Sequence, residues 1–288
     1  VWDFQRNVRL SRFSNGNPPG SKINDARFIN EDDQALLMVG SSDGVLKVFR
    51  NYEHPMKVEV VTAFRALTEL IPSNKNAGLV FDWQQGQGKA LVAGDVKVIK
   101  VWNAATEVCS NDIPARSSSC ITSLTSDQVA GQIFIAGFGD GCIRVFDQRQ
   151  NPRTAMVKIW RDHKQWITNI HMQRGGVREL VSGSRNGEVK LWDLRNDKPV
   201  TTIKAMGASG ATLRSLSVHE HAPVLAVGTD RHEVRSFNVS GESLGIYEPV
   251  SGMLRSRKTP IVATAYHPHR MLLACAGLND GHVSLISY

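Results

Sequence analysis

The 288-residue sequence has no apolar run long enough to cross a membrane as a helix. The longest, MLLACAGL at 271–278, falls well short of the roughly 18–20 residues such a span needs. No stretch reads as a secretory signal peptide, and the chain opens on VWDF rather than on methionine. Cysteine is scarce: Cys109, Cys120, Cys142 and Cys275, with no C-x-x-C pair. Cys142 and Cys275 lie within apolar alternation, where a thiol behaves as a small hydrophobe. These absences argue against a disulfide framework and for a reducing compartment, cytosol or nucleus, with the cytoplasm the expectation. Basic runs are also lacking. The net charge is +7 and the pI about 9.4, yet no run reaches five basic residues. Scattered charge of this kind points to acidic protein partners rather than to nucleic acid. Long helical periodicity is the last absence. Only VTAFRALTELIP (61–72), with Phe64, Leu67, Leu70 and Ile71 at helical spacing before Pro72, predicts a short helix.

What is present is a repeat. VGSSDGVLKVFR (39–50), AGFGDGCIRVFDQR (136–149), SGSRNGEVKLWDLR (182–195) and AGLNDGHVSLIS (276–287) share one pattern. It runs apolar, Gly, two residues, Asp or Asn, Gly, an alternating strand, then an aromatic or apolar residue. AGDVKVIKVWN (93–103) and VGTDRHEVRSFN (227–238) follow it with altered turns. The closing position falls at Trp2, Phe49, Trp102, Phe146, Trp192, Phe237 and Ile286, at intervals of 44 to 53 residues. A sustained period near this length with a Trp-Asp ending marks the blade of a propeller. Asp-Gly and Asn-Gly supply the positive φ angles that a two-residue hairpin turn needs. Each period accommodates four strands. The fifth is expected at 166–172, 179–184, 188–193 and 199–204, and the sixth at 213–219, 224–228, 233–238 and 243–247. Seven third strands face only six first strands. The expectation is therefore an all-β, seven-bladed propeller in one domain, 1–288, whose first blade is incomplete because the chain is a segment of a longer protein.

The pattern resembles the WD-repeat family. Trp2-Asp3 and Trp192-Asp193 carry the dipeptide, and Asp43, Asp140 and Asp280 match the family's turn aspartate. RDHKQWIT (161–168) is similar to its histidine loop, with His163 at the histidine position. The resemblance implies a buried His, Ser/Thr, Asp and Trp network inside a blade, here His163, Thr168 and Trp192, with Asn186 in place of the aspartate. Trp102 holds the tryptophan position of another blade, and most blades lack the histidine. Over the whole chain the sequence more specifically resembles the C-terminal propeller of the Raptor family of TOR complex 1 subunits. The stretches that carry this include NGNPPGSKINDARFIN (15–30), GLVFDWQQGQGKALVAGDVKVIKVW (78–102) and HPHRMLLACAGLNDGHVSLISY (267–288). That resemblance implies a scaffold that presents substrates to the TOR kinase, with protein partners. Another WD-repeat adaptor, in ubiquitin ligation or trafficking, is the alternative.

Catalytic motifs fail on context. GSSDG (40–44) matches the G-x-S-x-G nucleophile elbow, which must lead into a helix, whereas VLKVF alternates as a strand. GFGDG (137–141) has the same defect as a dinucleotide loop. HEH (219–221) and HPH (267–269) bring four imidazoles onto neighbouring blades, but they sit where many WD repeats carry a turn histidine, so no metal or cofactor is expected. The loop EPVSGMLRSRKTP (248–260) clusters Arg255, Arg257 and Lys258 and is the expected docking element for an acidic partner segment.

Overall fold

Alternating side chains with a glycine turn every few residues make hairpins, and successive hairpins here extend into meandering antiparallel sheets. The computed structural model describes residues 1–30, 33–68, 77–173, 179–207, 210–249, 259–278 and 282–288. The chain divides into two compact units: Val1–Ile121 with Gln150–Arg153, and Thr122–Arg149 with Thr154–Tyr288.

In the first unit, β1 (Trp2–Asp3) pairs with β2 (Val8–Arg9). Two four-stranded sheets follow: β3 (Ile23–Ile29), β4 (Leu36–Ser41), β5 (Val45–Arg50) and β6 (Glu59–Arg65), then β7 (Leu79–Gln84), β8 (Lys89–Gly94), β9 (Val98–Asn103) and β10 (Val108–Pro114). The second unit is built from three four-stranded sheets and one of three strands. These are β11 (Ile121–Ser126), β12 (Ile133–Phe138), β13 (Ile143–Asp147) and β14 (Met156–Trp160), then β15 (Ile167–Met172), β16 (Glu179–Ser184), β17 (Glu188–Asp193) and β18 (Thr201–Lys204). Next come β19 (Leu213–Val218), β20 (Val224–Thr229), β21 (Val234–Asn238) and β22 (Ser243–Tyr247), and last β23 (Ile261–Tyr266), β24 (Leu272–Gly277) and β25 (Val283–Ser287). All seven repeat-closing residues fall on strands: β1, β5, β9, β13, β17, β21 and β25. Among the described residues the only helical element is a three-residue 3-10 turn, Gln85–Gln87.

Both faces of the third strand β17 are covered. On β17, Trp192 packs with Ile135, Ile143 and Val145 of the preceding sheet, while Val189 packs with Leu213 and Leu225 of the following one. First strands of neighbouring sheets are also joined by side chain to backbone bonds. Met172 N donates to Thr125 Oγ1 at 3.1 Å, Asn169 Nδ2 to Leu216 O at 2.8 Å, and Tyr266 N to Ser217 Oγ at 3.0 Å. Neighbouring sheets come this close where the second strand, β4, β12, β16 or β20, carries glycine at its penultimate position. A methyl group on Gly40 would lie 2.4 Å from Leu79 Cδ2, and one on Gly137 2.7 Å from Ile167 Cγ2. On Gly228 it would meet Ser215 Oγ at 2.4 Å and Ile261 O at 2.8 Å. In each case the obstacle includes the first residue of the next sheet. Gly183 is looser, its nearest atom being Leu216 Cδ2 at 3.1 Å.

Two local expectations are corrected. The hairpin turns are longer than two residues. Gly44, Gly141 and Gly187 have φ of +79°, +84° and +85°, but Asp43, Asp140 and Asn186 before them do not have positive φ. Gly44 N donates to Ser41 O, Gly141 N to Phe138 O and Gly187 N to Ser184 O, at 3.0, 3.1 and 2.9 Å. This is a four-residue turn closed by a left-handed glycine, the type I turn plus bulge of longer hairpins. The predicted helix at 61–72 is also not formed where it is described. Val60, Val61 and Thr62 are β-branched and extend β6, and Phe64 pairs with Leu46 of β5 and packs on Trp102. Leu67 is buried beyond the strand end, while Leu70, Ile71 and Pro72 lie outside the described residues.

The glycine contacts order three substitutions. Gly137→Ala and Gly228→Ala should each cost about 2–3 kcal/mol through overpacking, and Gly183→Ala about 1 kcal/mol or less, because only mobile leucine methyls oppose it. Denaturant midpoints of the three variants check the order; equal losses would show that the close approach does not govern the site.

Candidate functional site

One sheet contains a buried polar network. The register pairs Leu180 with Trp192 and Ser182 with Lys190, so Ser182 and Trp192 share a face two positions apart. Trp192 Nε1 donates to Ser182 Oγ at 2.8 Å, and Ser182 Oγ lies 2.7 Å from His163 Nε2. The chain before β15 carries His163 over the end of the sheet, where its ring meets the Trp192 edge at 6.2 Å. Trp160 stacks on the other side of the indole at 4.8 Å. All three network side chains are buried. Thr168, expected as the hydroxyl member, is turned to the following sheet and donates to Leu213 O at 3.4 Å. The hydroxyl is instead Ser182, which lies on the strand hydrogen-bonded to the tryptophan's own strand. Asn186, at the aspartate position, accepts from Glu188 N at 3.3 Å, leaving His163 Nδ1 buried without a partner among the described residues. Lys190 lies under the same loop, its Nζ donating to Asp162 O at 2.9 Å. Burial first, then the Lys190 charge, pushes His163 down to a pKa of about 3, so the imidazole is neutral at physiological pH.

The register explains why this network is not repeated. The position of Ser182 is occupied by Val39, Val92, Ala136, Val227 and Cys275 in the other sheets. Four of those sheets carry Phe49, Phe146, Phe237 or Ile286 opposite, with no N–H to satisfy. Trp102 is the exception. Val92 stands where Ser182 does, and the Trp102 indole N–H is buried with no acceptor among the described residues.

The turn residues do two different things. Asp140 is a surface cap: its Oδ1 accepts from Cys142 N at 2.9 Å, and Arg144 lies 3.6 Å from its Oδ2. Arg144 is buried and lies over the Phe138 ring at 4.0 Å. Asp43 is held below the ordinary carboxylate range: its burial opposes ionisation, but bonds from Ser41 and the Val45 amide outweigh it. Asp280 lies outside the described residues, as do Arg255, Arg257 and Lys258 of the basic loop. Two further turn carboxylates lie in the altered turns of the repeat. Asp95 accepts from Ala77 N at 2.8 Å and Gly78 N at 2.9 Å, and Asp230 from Thr212 N at 2.9 Å and Thr212 Oγ1 at 2.7 Å. Each clamps the segment entering its own sheet. Burial of Asp230 works against its charge, but the two Thr212 bonds hold its carboxyl below the usual range. The signal available in the sequence was an Asp directly after the second strand, in AGD and GTD.

The H-x-H pairs are structural where they can be assigned. His219 Nδ1 accepts from His221 N at 3.1 Å and Ala222 N at 3.0 Å, so its Nε2–H donates to Arg270 O at 3.2 Å. His267 Nδ1 accepts from His269 N at 3.0 Å. Exposed His221 and His269 stack at 5.4 Å. No group of three or more His, Cys, Asp or Glu among the described residues is arranged to hold a metal ion. In GSSDG, Ser42 Oγ accepts from Lys22 N at 2.9 Å and the chain continues into β5 rather than into a helix.

Residues 109–277, more than half of the chain, match the family model described as Nucleolar protein 10-like, N-terminal domain, a β-propeller family. The chain belongs to this β-propeller family. Its whole length is also similar to Raptor-type proteins. It is 42% identical to Target of rapamycin complex 1 subunit KOG1 of Saccharomyces cerevisiae, over 99% of this chain and 20% of that protein. It is likewise 42% identical to Target of rapamycin complex 1 subunit mip1 of Schizosaccharomyces pombe, over 100% of this chain and 22% of that protein. The crystal structure of Chaetomium thermophilum Raptor matches it with a TM-score of 0.91 and 54% identity, over 99% of this chain and 26% of that chain. The chain is thus a Raptor-related segment spanning about a quarter or less of these relatives' length.

Two tests follow from the site geometry. His163 stays neutral in the fold while an unfolded histidine takes a proton near pH 6.5, so stability present above that pH is lost as pH falls toward about 3. By pH 5 the loss should reach about 2 kcal/mol, and His163→Gln should show a flatter profile between pH 7 and 5 in urea titrations. Separately, Asp95→Ala and Asp230→Ala should each cost about 1–3 kcal/mol by orphaning clamped N–H groups, and Asp140→Ala less than about 1 kcal/mol. Thermal midpoints that place Asp140→Ala lowest would reverse this assignment.

Proposed function

We propose that this chain is the C-terminal WD-repeat propeller of a Raptor-type subunit of target of rapamycin complex 1. In this reading it is a non-catalytic scaffold that supports assembly and presents substrates to the TOR kinase in growth and nutrient signalling. The observation that carries it is similarity along the whole chain to two yeast subunits named for that complex. The mechanism is display: rigid sheets hold loops in place, so a partner binds with little ordering cost. No cofactor is needed. His163, Ser182 and Trp192, the most chemistry-like group in the chain, are spent on holding one sheet to its own entry loop.

The partners are proteins, in the cytoplasm, rather than nucleic acid or a membrane. Much of the basic charge has an internal use that supports this. At one register position on three of the third strands, β9, β17 and β21, Lys100 pairs with Asp112 at 3.2 Å, Lys190 caps Asp162 O at 2.9 Å and Arg235 pairs with Glu233 at 2.8 Å. Arg255, Arg257 and Lys258 are the proposed site for an acidic partner segment.

The propeller has seven blades in this reading, with β1 and β2 belonging to an incomplete first blade that further strands of the longer protein complete. Exposure supports it. Trp2 is 63% exposed where Trp192 at the same repeat position is 1% exposed, and Val283 is 65% exposed where Val189 is fully buried.

Affinity purification of the full-length protein tests the assignment. A giant kinase should copurify in near-stoichiometric amount. Ubiquitin-ligase or trafficking subunits in its place would assign the chain to another WD-repeat adaptor, and salt-sensitive nucleic-acid binding would remove it from the scaffold class.

A further inference from the structure

Arginines that serve the fold of the second unit are paired. Arg149 lies 2.6 Å from Asp147 and Arg195 2.5 Å from Asp193, at the end where β13 and β17 finish, and Arg235 lies 2.8 Å from Glu233. Arg185, Arg214 and Arg231 stand apart: no side-chain hydrogen bond or ion pair engages them among the described residues. Arg185 and Arg231 are exposed. Arg214 is half-buried, and its Nε is out of solvent with no acceptor among the described residues. A charged donor held this way lacks the counter-group that burial calls for.

The three are set around one stretch of backbone, the segment that enters β19. Arg185, in the β16–β17 turn, accepts at its carbonyl from Leu213 N at 3.3 Å. Arg214 is the bulged residue between Leu213 and Ser215. Arg231, in the β20–β21 turn, places Nη2 3.9 Å from where a Cβ on Gly210 would lie. Their attachment points are fixed: Arg185 N donates to Trp166 O at 2.9 Å, Asp230 N to Thr212 O at 3.1 Å, and Arg231 N to Thr229 Oγ1 at 3.2 Å. The carboxylates nearby are committed elsewhere. Asp230 gives both oxygens to Thr212, at 2.9 and 2.7 Å. Burial raises its carboxyl, the Thr212 bonds lower it, and Arg214 adds a smaller pull as a neighbour that makes no ion pair with it. Glu188 lies 3.9 Å from Lys190, and Glu233 is taken by Arg235. Asp162 is exposed in the flanking segment 161–166, where Arg161 and Lys164 outnumber it.

We propose that Arg185, Arg214 and Arg231 form a docking site for a phosphorylated serine or threonine of a protein partner. A phosphomonoester carries a charge of about −1.5 to −2 at neutral pH and three acceptor oxygens, whereas a carboxylate offers one charge and two oxygens. Three guanidiniums therefore match the phosphate and exceed what an aspartate or glutamate can satisfy. Arginine also meets phosphate oxygens through a planar two-point fork, which lysine lacks. A membrane surface fits less well. The exposed large apolar side chains described for these two sheets are Val200, Leu244 and Ile246, at or beside the outer strands β18 and β22, so this end offers nothing to insert. A nucleic-acid strand calls for a groove that tracks its backbone, with aromatic side chains for the bases to stack on, rather than one cluster of arginines. The inference goes beyond the scaffold reading and does not depend on which complex the chain serves: it makes capture of a partner conditional on that partner's phosphorylation.

The test uses the full-length protein and fluorescein-labelled, end-capped peptide libraries. Each library fixes phosphoserine, phosphothreonine, Ser or Glu at the centre, with degenerate flanks drawn from uncharged residues. Fluorescence polarisation should show saturable binding of a phosphorylated library, at least about tenfold tighter than the Ser and Glu libraries. Arg185→Glu and Arg231→Glu change exposed residues, so each should keep the wild-type urea midpoint while weakening phosphopeptide binding at least about tenfold. Arg195→Glu, the same charge change at the opposite end of β17, should leave binding unaltered. The proposal is overturned if no phosphorylated library binds, if the Glu library binds as well, or if either Arg185→Glu or Arg231→Glu binds as wild type. An equal loss in Arg195→Glu would reduce the effect to net charge and overturn it, and a lowered urea midpoint in both turn variants would give these arginines to the fold and do the same. Binding of inorganic phosphate without the phosphopeptides would leave a bare anion site. Equal affinity for vesicles containing phosphatidylinositol bisphosphates, or for a single-stranded oligonucleotide, lost in the same variants, would assign the surface to lipid or nucleic acid; each of these three results also overturns it.

Discussion

The approach of a first strand to the penultimate glycine of the preceding sheet, made by β7, β15, β19 and β23, is the contact on which the packing around it depends. A sheet buries both faces only if its neighbours come within van der Waals contact along their whole length. At Gly40, Gly137 and Gly228 the absent Cβ is the space that Leu79, Ile167 and Ile261 fill. Once that approach is made, Trp192 reaches Ile135 and Ile143 on one side, while Val189 reaches Leu213 on the other. The hydroxyl and amide bonds between first strands then fall within range. A glycine that looks like turn punctuation in the repeat is therefore a packing residue.

The period and the turn glycines made the strands legible. Trp102, Phe146 and Trp192 could be placed on third strands from spacing alone, because a twofold alternation between fixed turns leaves little freedom of register. Contacts between strands were less legible. Thr168 and Ser182 are both hydroxyls at plausible distances in sequence from His163, and only the pairing of β16 with β17 selects Ser182. Asp95 and Asp230 were hidden because Val96 and Arg231, not glycine, follow them, and their work is done through the segment entering the sheet. The run at 61–72 has apolar residues that satisfy a helical period, but its β-branched start and the open edge of β5 decide for a strand through Arg65.

Stability is distributed unevenly as a result. One sheet carries a polar network that ties Trp192 to a neutral histidine; its counterparts use phenylalanine or isoleucine packing, and Trp102 keeps a tryptophan without the acceptor. A buried indole N–H with no partner costs free energy, so the Trp102 sheet must recover it through contacts such as the tilted stack on Phe64 at 4.9 Å. The acid sensitivity that follows from the burial of His163 acts in that sheet.

The bonds between first strands also bear on aggregation. A first strand is an edge of its own sheet, and an edge with open backbone groups invites another chain to pair with it. Here Thr125 occupies the amide of Met172 on β15, Asn169 occupies the carbonyl of Leu216 on β19, and Ser217 occupies the amide of Tyr266 on β23. Three neutral side chains thus blunt three edges without placing any charge there. Each bond leaves a recruited strand one fewer open backbone group at that edge.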